Sequence, residues 1–315
     1  ISACGITLHA MFPVFDDVFT GKWVFGIASS ISGLLLVLIG GFALFEKVMA
    51  VSVGVMFAVV LVMAGILWPG AEVVLSGLFV PSIPDAQGAG VTWTLALIGG
   101  VGGTLTILCY GYWVREKGRF QEKDIGICRI DLAVGYSMTV LFGLSMVIIG
   151  STIEIEGRGA NLLIVLAEKL EEPLGIYGRW LFLVGAFSAI FSSLLGVWQA
   201  VPYLFADVWR LFVQKTDQLG SRFDSGDMSL SSPYRWFLVA LAVIPILGLF
   251  ISFKEVQKLY AVIGAMFIPM LAFVLLVLNG RRAWVGEYVN KPITIIALLA
   301  TLVFFGVMAG LKWFG

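Results

Sequence analysis

Four glycines and two threonines stand close together at the front of the stretch "GGVGGTLTILCYGYW", in an otherwise apolar part of the chain. In a helix, each glycine costs about 1 kcal/mol relative to alanine. In many transporters an unwound helix segment at the middle of the bilayer offers free carbonyl oxygens to a cation. The sequence therefore predicts a helix break, and its candidate residues are the breakers Gly99, Gly100 and Gly102 and the oxygen donors Gly103, Thr104 and Thr106.

Other interpretations of this stretch stay open. Small residues let neighbouring helices approach closely, and threonine hydroxyls can bond back to their own backbone. Cys109 follows Thr106 by three residues, so the two share a face if the helix resumes there. Its sulfur could then reach the ion as a further metal ligand, or Cys109 could be a small packing residue.

Ionisable residues near the ends of apolar segments form a second group of candidates. Asp131, in "CRIDLAVGYSM", lies one turn inside a predicted span, where charges are costly and usually functional. It could relay protons, whereas a partner such as Arg129, or an interfacial position with access to water, would make its role structural. Asp207 and Arg210 are three residues apart on a predicted helix, and this spacing predicts an ion pair.

The composition indicates that these residues belong to a membrane protein. The chain has 315 residues, of which 60% are hydrophobic and 13% are charged. No soluble domain can hide so much apolar surface, so the protein is predicted to be integral to a membrane. Its formal net charge of zero gives no reason to expect nucleic-acid binding. The sequence contains no H-E-x-x-H and no G-x-S-x-G, and we therefore expect no enzyme and no resident cofactor.

Segments of roughly 20 apolar residues set the predicted topology, since this length crosses a hydrocarbon core of about 30 Å. The fold is predicted to be an all-α, polytopic membrane bundle in a single transmembrane domain, 1–315. Because the chain opens inside an apolar segment, we expect it to be a fragment lacking upstream helices. A partial span covers Ile1–Val14, and eight complete spans follow: Trp23–Gly41, Val48–Trp68, Trp93–Val114, Ile130–Ile149, Trp180–Phe205, Trp236–Phe253, Leu259–Leu278 and Ile293–Leu311.

The connections between these spans differ in charge. One alternate set of loops holds most of the Lys and Arg residues, which places that set in the cytoplasm and predicts a multi-pass protein of the cell membrane. On the outer side, Pro69–Val91 is predicted to be an ordered loop. The second long outer connection, 150–178, contains "NLLIVLAEKLEEPLG", whose apolar residues recur at helical spacing and predict a short amphipathic helix.

Several stretches, in their order and spacing, resemble the Nramp family of proton-coupled divalent-metal transporters. The family's sixth helix usually reads Ile-Gly-x-x-Gly-Ala-Thr-Val-Met-Pro-His-Asn, and this chain has "IGGVGGTLTILC". The stretch "SAIFSSLLGVWQAVPYLFADVWR" is similar to the family's eighth helix, and "GAMFIPMLAF" and "NGRRAWVGEYVNKPITII" are similar to its last two helices. The resemblance implies a LeuT-like inverted-repeat fold that transports divalent metal ions by alternating access.

The chain departs from the family where the resemblance places the metal ligands. Thr106 stands in the position of the binding methionine, and Leu108 stands in that of the histidine. A thioether favours softer metals, so its loss leaves oxygen ligands and is similar to the Nramp-related branch that carries magnesium. We expect a divalent ion (manganese, iron or magnesium) as the partner, in a lipid bilayer. The lost histidine weakens the expectation of proton symport. An amino-acid or other organic-solute permease remains the alternative.

Overall fold

The structure is a computed structural model, in which most of the described residues lie in helices. They divide into two compact units, Ile1–Ala71 with Leu108–Glu255 and Glu72–Ile107 with Val256–Gly315. Each unit has a buried apolar cluster of its own. The structure describes residues 1–80, 82–83, 90–100, 106–119, 121–151, 161–213, 228–250 and 253–314.

Eleven α-helices and three short 3₁₀ segments make up the described chain, and no strand occurs within these residues. The 3₁₀ segments are Glu122–Asp124, Met228–Leu230 and Ile244–Phe250. The α-helices are α1 (Ser2–Met11), α2 (Val18–Ile66), α3 (Ala71–Phe79), α4 (Gly90–Gly100), α5 (Thr106–Glu116), α6 (Ile125–Ser151), α7 (Asn161–Val213), α8 (Ser232–Val243), α9 (Phe253–Leu278), α10 (Arg282–Val285) and α11 (Pro292–Phe314).

The helix α2 is interrupted where the sequence predicts a span to end. A straight helix of its 49 residues would be about 74 Å long, far more than a bilayer core needs. Gly41 breaks it with a φ of 60°, a left-handed conformation that glycine adopts without a side-chain clash. Gly175 interrupts α7 in the same way, with a φ of 64°. The helix before it, residues 161–174, covers the stretch predicted to be amphipathic; its outer location stays a prediction.

Five helical segments of the described chain are long and apolar enough to cross a membrane. Their outward surfaces carry large apolar side chains, which suits contact with lipid. The prediction of a helical membrane protein is confirmed, whereas the count of eight spans stays a prediction. The prediction of a loop over Pro69–Val91 was wrong in part, because α3 lies within it. The five segments are Val18–Ile66, Glu122–Ser151, Leu174–Val213, Ser232–Phe250 and Pro292–Gly310.

The core of the first unit lies where α2, α7 and α8 pack together. Leu195 of α7 and Leu238 of α8 are fully buried there, and Trp198 packs with them. Gly33 of α2 allows this close approach, because a Cβ at that position would lie 2.7 Å from the Trp198 ring. In the second unit, Val91 of α4 and Met308 of α11 form a smaller buried cluster.

Candidate functional site

The glycine stretch lies between two described helices. The helix α4 ends at Gly100, and α5 begins at Thr106. Gly102, Gly103 and Thr104 lie outside the described residues. For Gly99, Gly100 and Thr106 the structure gives the helical backbone only. The predicted helix break and the predicted oxygen ligands therefore stay predictions.

Cys109 is the one proposed ligand whose side chain the structure describes. It is fully buried on α5, and its thiol donates a hydrogen bond to the Ala200 carbonyl of α7, with 3.4 Å between the sulfur and the oxygen. A thiol that donates to a neighbouring helix has a packing role. The contact supports the interpretation of Cys109 as a packing residue, and its metal-ligand role stays a prediction.

One turn further along α5, a tyrosine reaches a carboxylate on α7. The Tyr112 hydroxyl donates to Asp207 Oδ2 at 3.0 Å, and Arg210 donates to Asp207 Oδ1 at 2.7 Å. The predicted ion pair of Asp207 and Arg210 is thus confirmed. About a quarter of each of these two charged side chains is exposed. Asp207 therefore links α5 to α7 and is itself held by its own helix.

A second tyrosine makes the reciprocal contact, from α7 to the end of α5. The Tyr203 hydroxyl donates to Glu116 Oε1 at 2.6 Å. The Tyr203 ring is buried, stacks on the Tyr112 ring with centroids 5.6 Å apart, and meets Tyr234 of α8 edge-on. The two hydroxyl–carboxylate pairs, Tyr112–Asp207 and Tyr203–Glu116, are therefore joined by stacked rings.

Gln199 of α7 connects the same region to α8. The indole N–H of Trp113 donates to its side-chain oxygen, and the Tyr234 hydroxyl donates to its backbone carbonyl at 3.2 Å. Gln199 is only 3% exposed, so these contacts give polar partners to a buried amide.

Asp131 pairs with different residues from those that the sequence suggested. Its Oδ2 accepts from the Tyr110 hydroxyl at 3.0 Å and from Arg119 at 3.4 Å. Among the described ion pairs, its partner is Arg119, whereas the sequence had offered Arg129 as one possible partner. Arg119 follows the end of α5 and precedes α6. A helical repeat shows which residues of one helix share a face, so it could not show that Arg119 contacts Asp131. About 53% of the Asp131 side chain is exposed, so its pair with Arg119 lies at the surface of the protein.

Next to Asp131 lies an open cavity of about 280 Å³ in the first unit. Its wall is apolar on the side of Phe42, Phe45 and Trp113, and its rim carries both signs of charge. Lys117 and Glu46 form an ion pair on this rim. Since both carboxylates of the cavity are paired with cations, it offers no free cluster of anionic ligands.

Within the described part of the chain, no group of three His, Cys, Asp or Glu residues could hold a metal ion. Sequence reasoning missed the tyrosines and Glu116 of the α5–α7 contact. Tyr112, Trp113 and Glu116 recur at helical spacing with Cys109, and this was the available signal. It was ambiguous because aromatic residues near a span end are equally typical of the membrane interface.

Comparison with known proteins gives one finding of wide coverage. A family model described as "Natural resistance-associated macrophage protein-like" matches residues 1–313. No curated protein matches the sequence.

Proposed function

Because the chain belongs to the Nramp family, whose members transport divalent metal ions and are not enzymes, we propose that it carries a hard divalent cation by alternating access. The apolar helices agree with a multi-pass membrane protein. The family does not give the ion class, the binding site or the membrane. We propose a hard divalent cation, a site at the glycine stretch and the cell membrane.

One observation carries the proposed site, namely the run of four glycines and two threonines from Gly99 to Thr106 within an otherwise apolar segment of the sequence. Non-helical backbone at membrane depth persists only where it is buried in protein or lines a wet cavity. The proposed ligands are the carbonyl of Gly103 and the hydroxyls of Thr104 and Thr106. These are hard oxygen donors, which suit magnesium and manganese.

The contact of Cys109 supports a ligand set made only of oxygen. Its thiol donates to the Ala200 carbonyl, so the sulfur already has a partner on α7. Without a sulfur, the site has little preference for iron over magnesium. Among the ions that the family resemblance allows, we therefore place magnesium and manganese ahead of iron.

Proton symport receives less support from the described residues. Leu108 occupies the position of the family's histidine and cannot titrate. Asp131 is held by Tyr110 and Arg119, which supports a structural role. We therefore propose that the protein binds and transports the metal without a contribution from Asp131.

Thr106→Met tests the site, with uptake of magnesium and manganese measured in proteoliposomes that contain the complete natural protein. If the methionine sulfur favoured manganese over magnesium by about 1.4 kcal/mol of binding free energy, the uptake ratio would shift toward manganese about tenfold. Thr301→Met is the matched control, since the Thr301 hydroxyl bonds to its own helix at Ala297. Unchanged handling of both ions would remove Thr106 from the site.

The same vesicles separate metal transport from the permease alternative. Uptake of labelled amino acids without uptake of either metal would contradict the proposed function. The glycine stretch alone fits both classes, and the family assignment favours the metal.

A further inference from the structure

Four side chains on one face of α5, between Cys109 and Glu116, form hydrogen bonds with α7. Cys109, Tyr112, Trp113 and Glu116 recur every three or four residues and so lie on the same side of the helix. Each of them forms a hydrogen bond with a residue of α7. From Cys109 to Glu116 the helix rises about 10 Å. The contact therefore spans two turns and leads directly from the proposed ion site toward the predicted cytoplasmic end.

The facing residues of α7 show the same spacing. Ala200, Tyr203 and Asp207 lie on one side of α7, and Gln199 is their neighbour. Two complementary faces thus meet, and their register is fixed by donors and acceptors that match in pairs. A shift of either helix by one turn would break both hydroxyl–carboxylate pairs together.

These pairs differ from ordinary apolar packing in how they can separate. A carboxylate that loses a tyrosine hydroxyl can bond to water instead, so the net cost of separation is modest once water enters. Alternating access requires helices beside the ion path to separate and close reversibly. Polar contacts of this kind suit such a step better than a sealed apolar interface.

We propose that the hydroxyls of Tyr112 and Tyr203 are positioning groups for transport. They hold α5 against α7 while the cytoplasmic side is closed, and they release it when the ion leaves toward the cytoplasm. The inference rests on the proposed function, because it assigns these groups a place in the same transport cycle. Neither hydroxyl is proposed to touch the ion.

Cys109 provides a native reporter of this separation. It is fully buried between α5 and α7, so it becomes reactive toward a small maleimide only when the two helices part. Cys4 is also fully buried, but on α1, and it reports general unfolding. Cys128 is partly exposed and gives the reference rate. Mass spectrometry of the labelled peptides follows all three cysteines in one sample of the complete natural protein.

Tyr112→Phe and Tyr203→Phe each remove one hydroxyl and keep the ring. We expect each variant to raise the labelling rate of Cys109 about tenfold, as the loss of a hydrogen bond to a charged group would. The rate at Cys4 should not change. Tyr136→Phe is the matched control, since Tyr136 is 57% exposed and should alter neither rate.

A response to ions distinguishes positioning from a purely structural role. In the unmodified protein, saturating manganese chloride or magnesium chloride should change the Cys109 rate, and in the doubly substituted variant this response should be lost. An unchanged Cys109 rate in both single variants would overturn the proposal. A parallel rise in the labelling rate of Cys4 would also overturn it. The same holds if the unmodified protein transports the ions but its Cys109 labelling rate does not change in the presence of either ion.

The two proposals fail in different ways. If the vesicles take up neither ion, the proposed function is wrong. A selective rise at Cys109 in the phenylalanine variants would then still support the tyrosine hydroxyls as the groups that hold α5 to α7. If transport occurs and the labelling is unchanged, the positioning role alone is wrong.

Discussion

The two helices on either side of the glycine stretch are held by different kinds of contact. In the first unit, α5 is bound to α7 by hydrogen bonds between side chains, with Tyr112 and Glu116 as its main groups. In the second unit, α4 packs on α11 through Val91 and Met308, which are apolar. The hydrogen bond described for Thr94 of α4 stays within its own helix, at the Gly90 carbonyl.

This difference has a physical consequence in a bilayer. Lipid chains are as apolar as leucine, so an apolar helix contact gains little over contact with lipid and depends on shape. A hydroxyl–carboxylate pair instead fixes both register and rotation, because its donor and acceptor must meet within a narrow range of distance. We therefore expect α5 to have one defined position against α7 in each state, and the described contact of α4 with α11, which is apolar, to depend on packing.

The largest expected effect on stability is that of Asp207→Ala. The change removes the acceptor that Tyr112 and Arg210 share, at a site about three-quarters buried. We expect the free energy of unfolding to fall by about 2 kcal/mol. Denaturant titration of the detergent-solubilised protein measures it. Asp16→Ala, at an exposed carboxylate before α2, is the control and should stay within about 0.5 kcal/mol.

A smaller effect is expected for Met308→Ala in the apolar contact of α4. Met308 is 2% exposed, and comparable changes in soluble cores cost about 2–5 kcal/mol, part of which is the transfer from water. Because Met308 leaves lipid rather than water, the transfer contribution is small. We therefore expect the free energy of unfolding to fall by about 1 kcal/mol in the same titration. Met266→Ala, at a side chain 70% exposed, is the control. A cost above that of Asp207→Ala would contradict the comparison between α4 and α5.

The helical class and two helix interruptions could be predicted, the latter because glycine often marks the end of a helix. Gly41 was predicted to end a span, and the structure places a positive φ there. The amphipathic stretch was predicted to end near Gly175, where α7 is interrupted. In contrast, α3 was missed, because a helix of nine residues within a Pro- and Gly-rich connection gives too short a repeat.

The contacts of the site were less predictable, because they join residues far apart in the sequence. Spacing showed that Asp207 and Arg210 share a face, and their pairing is confirmed. Spacing could not show that Tyr112, 95 residues earlier, also reaches Asp207. A helical repeat indicates which residues share a face, but the neighbour of that face depends on how the helices pack. For the same reason spacing could not show that Asp131 pairs with Arg119.

The smallest effect is expected for Thr94→Val, which removes a hydroxyl from α4 and keeps the side-chain shape. The Thr94 hydroxyl donates to the Gly90 carbonyl at 2.9 Å, and such a bond within one turn joins no second helix. We expect the free energy of unfolding to change by less than about 0.5 kcal/mol. Thr301→Val removes the same kind of bond from α11 and should behave alike. If Thr94→Val instead cost as much as Asp207→Ala, α4 would also depend on a polar contact, and the two helices would be held by the same means.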